Sequence, residues 1–433
     1  MKTAKIILLS LFLFLSFLDA KETLEEENTP TRLESFTKLQ TVISAVERFY
    51  VDDVKLNEIV DKAIAGLLSE LDAHSAFMDK KAYKDMKVSM DGEFGGLGIV
   101  IGIRDGALTV ISPIDDTPAK KAGIEAGDII LKIEEKSTLK MTIDEAVSIM
   151  RGKPGTPIDI TIVRKGEQKP LKINIVRGMI KVKSVSYKTV NDDILYLRIS
   201  SFDNNVEEQL SKYINQHLDM TKGIILDLRN NPGGSLDQAI KTVDIFVDDG
   251  IIVSQKGKTK SEDSSFSATK SATLTRVPMV VLINGGSASA SEIVSGALQD
   301  FKRAVVVGTE SFGKGSVQML LPIVNDQSEA IKLTVAKYYL PSGRTIQAKG
   351  VKPDIIAYAG EVPQEDDDKF SIKEKDLKKH LEVELEKVDG KKKEKEKEQT
   401  EEEKKIITKE DIYKDNQLKS GLDILKALIL TNK

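Results

Sequence analysis

The sequence predicts a multidomain α/β protein with helical segments towards both ends of the chain. Three observations predict it. Apolar residues recur at helical spacing over 33–71, short strands and glycine turns follow from Gly92, and strands alternate with helices over 181–360. Such alternation is typical of parallel strands joined by crossover helices. At 433 residues the chain is long enough for two or three domains with cores of their own.

The composition excludes several classes of function. The 40% hydrophobic content is ordinary for a globular protein, and a net charge of −4 without a basic aromatic patch gives no reason to expect nucleic acid as a partner. With no cysteine there is no disulfide, thiol nucleophile, thiolate metal site or lipid-modified cysteine. The three histidines are far apart and form no metal-ligand pattern, so no cofactor is expected.

Residues 1–20 have the pattern of a secretory signal peptide. Lys2 and Lys5 precede an apolar run over 6–18, which is shorter than the roughly 20 residues of a spanning helix. Since Leu18 stands where a small residue is preferred for cleavage, an uncleaved anchor is the alternative. Both readings predict an exported protein, either periplasmic or membrane-associated on the outer side of the inner membrane.

The regions that flank the central domains differ in character. Residues 33–88 are expected to be helical, with two amphipathic helices. The segment 361–405 is dominated by Lys, Glu and Asp and is predicted to be solvated and flexible. The last segment, 406–433, carries leucines at helical spacing and is predicted to be a short amphipathic helix that docks on the body or on a partner subunit.

Residues 90–178 combine short strands with glycine turns. A glycine-rich loop before a strand can present backbone N–H groups to a carboxylate, and the strand edge can pair with an extended peptide. A dinucleotide-binding loop is the rival interpretation, but the GGLGI stretch lacks the third glycine and the helix of that fingerprint. A purely structural module without a ligand is the other alternative.

The α/β core is predicted over 181–358. Two of its strands end in motifs rich in small and polar residues, RNNPGGS after Leu228 and NGGSASAS after Ile283. Active residues of parallel sheets gather at the carboxyl ends of the strands. Because the second motif leads into a helix, free N–H groups at the helix start would favour an oxyanion beside a serine.

A lysine between two glycines follows in the motif FGKGSVQ. Glycines allow close approach of the backbone, and a desolvated lysine that is neutral can take the proton of a serine hydroxyl. A small-residue helix start used only for close packing, with a surface lysine, is the structural alternative. A Ser–His arrangement is not excluded by counting.

GSASASEI followed by FGKGSVQ resembles the carboxy-terminal processing proteases, the tail-specific serine peptidases, and the resemblance extends over roughly residues 35–360. It implies a crotonase-like protease core in which Ser289 is the nucleophile, Lys314 the general base and Gln318 a residue that orients the lysine. The similar motif LDLRNNPGG implies an oxyanion hole formed by backbone N–H groups of Gly233 or Gly234 together with Ala290.

The segment TPAKKAGIEAGD resembles part of a PDZ domain, spanning about 90–177. The resemblance implies a loop that binds the C-terminal carboxylate of a peptide, formed by Leu97, Gly98, Ile99 and Val100. Arg151 lies in an RG motif of the family. It either couples the peptide-loaded PDZ domain to the active site or caps a turn.

The sequence therefore predicts an exported serine endopeptidase that captures apolar protein C-termini through a PDZ domain and cleaves nearby with a Ser–Lys dyad. The resemblance also implies a homodimer or higher oligomer, and an activating adaptor or lipoprotein partner is compatible with it. The first alternative is a proteolytically silent PDZ scaffold, although neither Ser289 nor Lys314 is lost. The second alternative is a crotonase-like acyl-CoA enzyme on the same core. The signal peptide and the PDZ domain argue against it, because an exported enzyme would lack acyl-CoA.

Overall fold

The computed structural model describes residues 30–104, 106–114, 116–323, 327–362 and 405–431. The predicted signal peptide and nearly all of the charged segment 361–405 lie outside these residues. Two compact units are present, one formed by 30–78 with 320–333 and the other by 79–319 with 334–431. Within the described ranges no helix is both long and apolar enough to cross a membrane.

The first unit contains two helices and a short strand: α1 (Arg32–Phe49), α2 (Leu56–Ser69) and β1 (Ala76–Met78). A reciprocal capping box between Thr31 and Glu34 starts α1 and satisfies N–H groups of its first turn. Strand β1 pairs antiparallel with residues 330–332. Helix α2 buries Ile59 and Leu68, whereas α1 buries no residue. The two predicted N-terminal helices are thus present, and among the described residues nothing buries the apolar side of the first.

The second unit begins with α3 (Lys80–Asp91), which ends at Gly92 in the left-handed conformation (φ 66°). A two-stranded stem follows, in which β2 (Glu93–Gly96) pairs with β9 (Gly178–Lys181). Between the stem strands lies an antiparallel sheet of order β3-β4-β5-β7-β8, with β6 at the edge of β5. Its elements are β3 (Ile99–Arg104), β4 (Ala107–Pro113), α4 (Pro118–Lys121), β5 (Ile129–Ile133), β6 (Lys136–Ser137), α5 (Ile143–Met150), β7 (Pro157–Val163) and β8 (Leu171–Val176).

The α/β core is built on a six-stranded sheet of order β10-β11-β12-β15-β16-β19. Strand β10 is antiparallel to its neighbour and the other pairs are parallel. Its elements are β10 (Val185–Val190), β11 (Ile194–Ile199), α6 (Val206–His217), β12 (Gly223–Asp227), α7 (Leu236–Asp244), β15 (Met279–Ile283), α8 (Ala290–Asp300), β16 (Val305–Gly308) and β19 (Ile355–Ile356).

Two further groups of elements complete this unit. Strand β13 (Ile251–Gly257) pairs with β14 (Ser264–Ser267) and with residues 336–339 of β18 (Ala330–Tyr339). Strand β17 (Ser316–Pro322) also pairs with β18, and both strands have residues in each of the two units. A 3-10 turn, Lys260–Glu262, precedes β14. At the end of the chain lie α9 (Lys409–Tyr413) and α10 (Asn416–Thr431).

Both faces of the core sheet are covered. Helices α6, α7 and α8 pack on one face, where Leu226, Val281 and Val294 are fully buried. Helix α10 covers the other face and buries Leu422 and Leu425. The predicted multidomain α/β class, with helical segments at both ends, is confirmed.

Candidate active site

Ser289 occupies a strained turn between β15 and α8. As the residue that caps the helix, it has φ 56° and ψ −113°, a backbone conformation that residues with a Cβ rarely adopt. Its side chain is half-buried, and Ala290 begins the helix directly after it. The N–H of Ala290 has no acceptor among the described residues, as expected at the first position of a helix. A donor therefore stands beside the serine.

The serines on either side of Ser289 hold two turns together. The buried Ser287 donates its Oγ hydrogen to the carbonyl of Leu228 at 2.8 Å, and Ser291 donates to the carbonyl of Asn231 at 2.9 Å. The N–H of Ala288 also reaches the Asn231 carbonyl, at 3.0 Å. The alternating serines thus hold the turn that carries Ser289 against the RNNPGG turn after β12.

Glu292 connects the serine turn to the lysine loop. Its carboxylate is completely buried and accepts four hydrogen bonds. Oε2 receives the N–H groups of Ser289 and Lys314, each at 2.8 Å. Oε1 receives the hydroxyl of Ser311 and the N–H of Gly313, each at 2.6 Å. One carboxylate oxygen therefore bridges the backbones of the predicted nucleophile and the predicted base.

The loop around Lys314 shows why glycines flank the lysine. Gly313 has φ 93°, and a Cβ on Gly315 would lie 2.5 Å from the backbone nitrogen of Gln347. The lysine itself is half-buried. Four residues on, Gln318 donates from Nε2 to Ser316 Oγ at 2.9 Å and to Thr334 Oγ1 at 3.3 Å. These two bonds fix the orientation of its amide.

The two predicted oxyanion glycines have different environments. A Cβ on Gly233 would lie 2.8 Å from the Ser289 Cβ and 3.0 Å from the nitrogen of Ala290, so this glycine lies directly against the turn that carries Ser289. Its N–H is already taken by Asn231 Oδ1 at 2.9 Å. The N–H of Gly234 has no acceptor in the described part of the chain. The N–H of Gly233 is therefore already engaged, whereas that of Gly234 is available to a ligand.

The same turn is bonded to the segment that leads towards the PDZ stem. Phe202 accepts the N–H of Ser235 at 2.7 Å and donates its own N–H to Gly233 at 2.9 Å. Its neighbour Asp203 is buried and lies against Gly92, where a Cβ would come within 2.4 Å of the carboxylate carbon. Contacts through Phe202 and the Asp203 side chain thus connect Gly92, just before the stem, with the glycine turn.

A small cavity of about 150 Å³ lies on the PDZ domain between β3 and α5. Leu97, Gly98 and Ile99 line it together with Arg151. The N–H groups of Leu97 and Gly98 have no acceptor within the described ranges. Val100 does not line the cavity, and its side chain is 45% exposed. Three of the four residues predicted to bind a carboxylate are therefore brought together.

Arg151 belongs both to this cavity and to the helix before the domain. Its guanidinium lies 4.7 Å from the centre of the Phe94 ring, and Nη1 lies 3.5 Å from Asp85 in α3. Its backbone caps the end of α5, with the N–H bonded to the Val147 carbonyl. Arg151 therefore caps α5 with its backbone, while its side chain reaches from the cavity to Asp85 in α3.

Two of the histidines have structural surroundings. The His217 ring contacts the Tyr213 carbonyl of its own helix at 2.8 Å and lies 4.8 Å from the Tyr187 ring. The backbone N–H of His74 is bonded to Asp72 at 2.7 Å. His380 lies outside the described residues.

Glu292 and Asn231 are the residues of this site that the sequence interpretation missed. Ser289-Ala290-Ser291-Glu292 is a capping-box pattern, which could have identified the glutamate. Nothing comparable marks Asn231, because apart from Gly233 its partners come from a different strand and a different turn.

Comparisons with known proteins match three regions. Residues 193–357 match the model of peptidase family S41, 109–164 match a PDZ domain, and 14–82 match the activating protease CtpB N-terminal domain. Among solved structures, a photosystem II D1 C-terminal processing protease has 24% identity and a TM-score of 0.42, over 73% of this chain and 91% of that one.

Curated relatives give the stronger likeness. A carboxy-terminal-processing protease of Bartonella bacilliformis is 45% identical over 350 residues, which cover 80% of each chain. A probable CtpA-like serine protease of Staphylococcus haemolyticus is 37% identical over 331 residues, 75% of this chain and 65% of the relative. This degree of identity, over most of both chains in the first case, shows that the chain belongs to the carboxy-terminal processing proteases and is a serine-type peptidase.

Proposed function

We propose that this peptidase is an exported endopeptidase that binds protein C-termini through its PDZ domain and cleaves near the C-terminus with a Ser289–Lys314 dyad. The observation that carries the proposal is the shared hydrogen bonding of Glu292 Oε2, which ties the backbones of both residues to one buried atom. A positioned nucleophile and base are what acyl transfer requires.

In this mechanism neutral Lys314 takes the proton of Ser289, and Oγ forms a bond to the scissile carbonyl carbon. The Ala290 and Gly234 N–H groups stabilise the oxyanion, while Gly233 allows the close approach of the two turns. The C–N bond breaks as the lysine returns the proton to the leaving amine, and water then hydrolyses the acyl-enzyme. Gln318, whose NH₂ is engaged by Ser316 and Thr334, offers Oε1 to the lysine.

The PDZ domain would supply substrate selection. Free N–H groups at Leu97 and Gly98 suit a terminal carboxylate, and about 150 Å³ suits one apolar side chain of the substrate tail. Tethering the tail would raise the local substrate concentration at the active site. Arg151 is our candidate for coupling occupancy of the groove to the core, since it contacts both the cavity and α3.

The test is cleavage of a loosely folded protein with an apolar C-terminal tail by residues 21–433, with mass spectrometry of the products. Ser289→Ala and Lys314→Ala should each lower turnover about a thousand-fold or more. Lys337→Ala removes an exposed lysine and is the matched control. Near-normal cleavage by either dyad variant would refute the mechanism.

A second arm tests recognition. The Ser289→Ala protein should bind a peptide with a free apolar C-terminus, and amidation of that C-terminus should weaken binding at least about tenfold. Val147→Asp, which places a charge in the groove, should have a similar effect. Equal binding of free and amidated peptides would exclude carboxylate recognition.

A further inference from the structure

Arg229 stands at the beginning of the glycine turn that carries Gly234, one of the two proposed oxyanion donors. It follows Asp227, the last residue of β12, and precedes Asn230 and Asn231. Its N–H and Nε donate to Asp227 Oδ1 at 2.9 and 3.0 Å, and Nη2 lies 2.6 Å from Oδ2. Asp227 is completely buried and also accepts the Tyr196 hydroxyl at 2.6 Å. One side of the guanidinium is thus fixed to the sheet.

The other side of Arg229 is held by residues almost two hundred positions later in the chain. Nη1 donates to Asp415 Oδ1 at 2.8 Å and to Gln417 Oε1 at 3.2 Å, and Nη2 lies 2.8 Å from Asp415 Oδ2. Burial alone would lower the pKa of Arg229, but hydrogen bonds to Asp227 and Asp415 raise it above its ordinary value. The arginine is therefore a permanent cation between two carboxylates.

The partners of Arg229 are themselves rigidly placed. Asp415 Oδ1 accepts the N–H of Leu418 at 3.1 Å at the start of α10, and the buried Gln417 donates to the Ala357 carbonyl at 2.9 Å. Further along the helix, Gly421 lies so close to the sheet that a Cβ would come within 2.8 Å of Leu282. Because the helix is fixed on the sheet, Asp415 and Gln417 at its N-terminal end are fixed as well.

From Arg229 the constraint continues into the turn. Its carbonyl accepts Arg198 Nη2 at 3.2 Å, and the next residue, Asn230, has φ 55°. Asn231 then fixes Gly233 through Oδ1 and donates Nδ2 to the Ile199 carbonyl at 3.0 Å. The turn is thus held at its far end by the serine motif and at its near end by Arg229.

We propose that Arg229, clamped by Asp415 and Gln417 of the C-terminal helix, is a positioning residue for the oxyanion turn, so that the end of the chain is part of the catalytic apparatus. The proposal rests on the Ser–Lys mechanism proposed above. Loosening the clamp would shift the Gly234 donor relative to Ala290, and displacements of this kind affect the transition state more than substrate binding.

The experiment compares Asp415→Asn and Gln417→Met with the wild-type chain. Asp415→Asn removes the charged partner, and Gln417→Met removes one hydrogen bond at similar volume. We expect kcat to fall about tenfold or more in the first and about threefold in the second, with KM within about twofold. Asp423→Asn, which breaks an exposed ion pair to Lys419 on the same helix, is the control and should leave kcat unchanged.

A peptide boronate that forms a tetrahedral adduct with Ser289 provides the second readout. Its inhibition constant should rise by about the factor by which kcat falls, because both depend on the oxyanion donors. Unchanged kcat in folded Asp415→Asn, or a lowered melting temperature with normal kcat, would overturn the proposal. If Asp415→Asn does not fold, unchanged kcat and boronate affinity in Gln417→Met would overturn it as well. Wild-type cleavage that survives Ser289→Ala would instead refute the proposed function, whatever the clamp variants do.

Discussion

Glu292 Oε2 and the backbone nitrogen of Lys314 lie 2.8 Å apart, and this hydrogen bond joins the helix that follows Ser289 to the loop that carries Lys314. The same oxygen holds the N–H of Ser289. The distance between the backbones of the proposed nucleophile and the proposed base is therefore set by one buried carboxylate rather than by packing alone. Hydrogen bonds to a charged acceptor are stronger than neutral ones, which suits this purpose.

Glu292→Gln should disable the enzyme. An amide has only one acceptor oxygen, so its NH₂ group would face N–H donors that the carboxylate now satisfies. We expect kcat to fall about a hundredfold or more and the free energy of unfolding to fall by about 2–4 kcal/mol. Turnover and denaturant unfolding measure the two effects. Glu310→Gln removes an exposed carboxylate nearby and should be neutral, and an active Glu292→Gln enzyme would contradict the bridging role.

The strained backbone at Ser289 predicts that a glycine at this position is more stable than an alanine. At φ 56° a glycine is relaxed and an alanine is not. Ser289→Gly should therefore be more stable than Ser289→Ala by about 1 kcal/mol, although both are inactive. Ser295, in the interior of α8, is the matched position, and there glycine should be the less stable replacement by about 1 kcal/mol. Equal stability of the two Ser289 variants in urea would show that the turn is unstrained.

Gly233→Ala should separate the two turns of the active site. The added methyl would lie 2.8 Å from both the Ala288 carbonyl and the Ser289 Cβ, so the nucleophile must move. We expect at least about a hundredfold loss of kcat. Gly166→Ala shares a positive φ (97° against 99°), but a Cβ there meets nothing within 4 Å. That control carries the backbone strain without the contact, and an equal loss of activity in both variants would contradict the steric account.

Local patterns were sufficient to predict the class of the fold and the turns that carry Ser289 and Lys314. Each of these turns depends on neighbouring residues: small residues between a strand and a helix, and glycines on both sides of a lysine. The local sequence therefore predicts their backbone conformation. The structure places Ile99 at the start of β3, and the role of the four-residue carboxylate loop stays a prediction. Successive side chains of a strand point to opposite faces, so Val100 faces away from the cavity.

Contacts between distant segments could not be predicted in this way. Arg229 and Asp415 are 186 residues apart, and neither has a sequence neighbour that identifies the other. The docking of α10 depends on the fit between the helix and the sheet. The leucine spacing predicts the apolar side of the helix, but it does not indicate which surface that side covers. Pairings of this kind follow from the tertiary fold, and periodicity does not specify them.

The exposed apolar side of α1 predicts self-association. Leu39, Val42 and Phe49 are each about half exposed or more, and none of the residues of the helix is buried. Burying such a stripe against a second copy is favourable. Val42→Glu should convert the proposed dimer to monomer without loss of thermal stability, as measured by light scattering and melting temperature. Ser44→Glu adds the same charge on the opposite side of α1 as a control, and a wild-type monomer would exclude this interface.

The ion pair between Arg229 and Asp415 predicts how the contribution of the C-terminal helix to stability depends on pH. Burial alone would raise the pKa of Asp415, but hydrogen bonds to Arg229 and the positive charge of that residue outweigh it and hold the pKa below the usual 3.8. A carboxylate with a depressed pKa stabilises the fold above its unfolded-state pKa, and this stabilisation is lost as the pH falls through the folded-state value.

The difference in melting temperature between wild type and Asp415→Asn should therefore be constant from about pH 5 to pH 8 and should shrink below about pH 4. Asp423→Asn, which alters an exposed pair of the same helix, corrects for general acid effects. A difference that changes between pH 6 and 8 would require a group that titrates near neutrality, whereas both Arg229 and Asp415 stay ionised throughout that range. Such a result would mean that the clamp is not the origin of the stability difference.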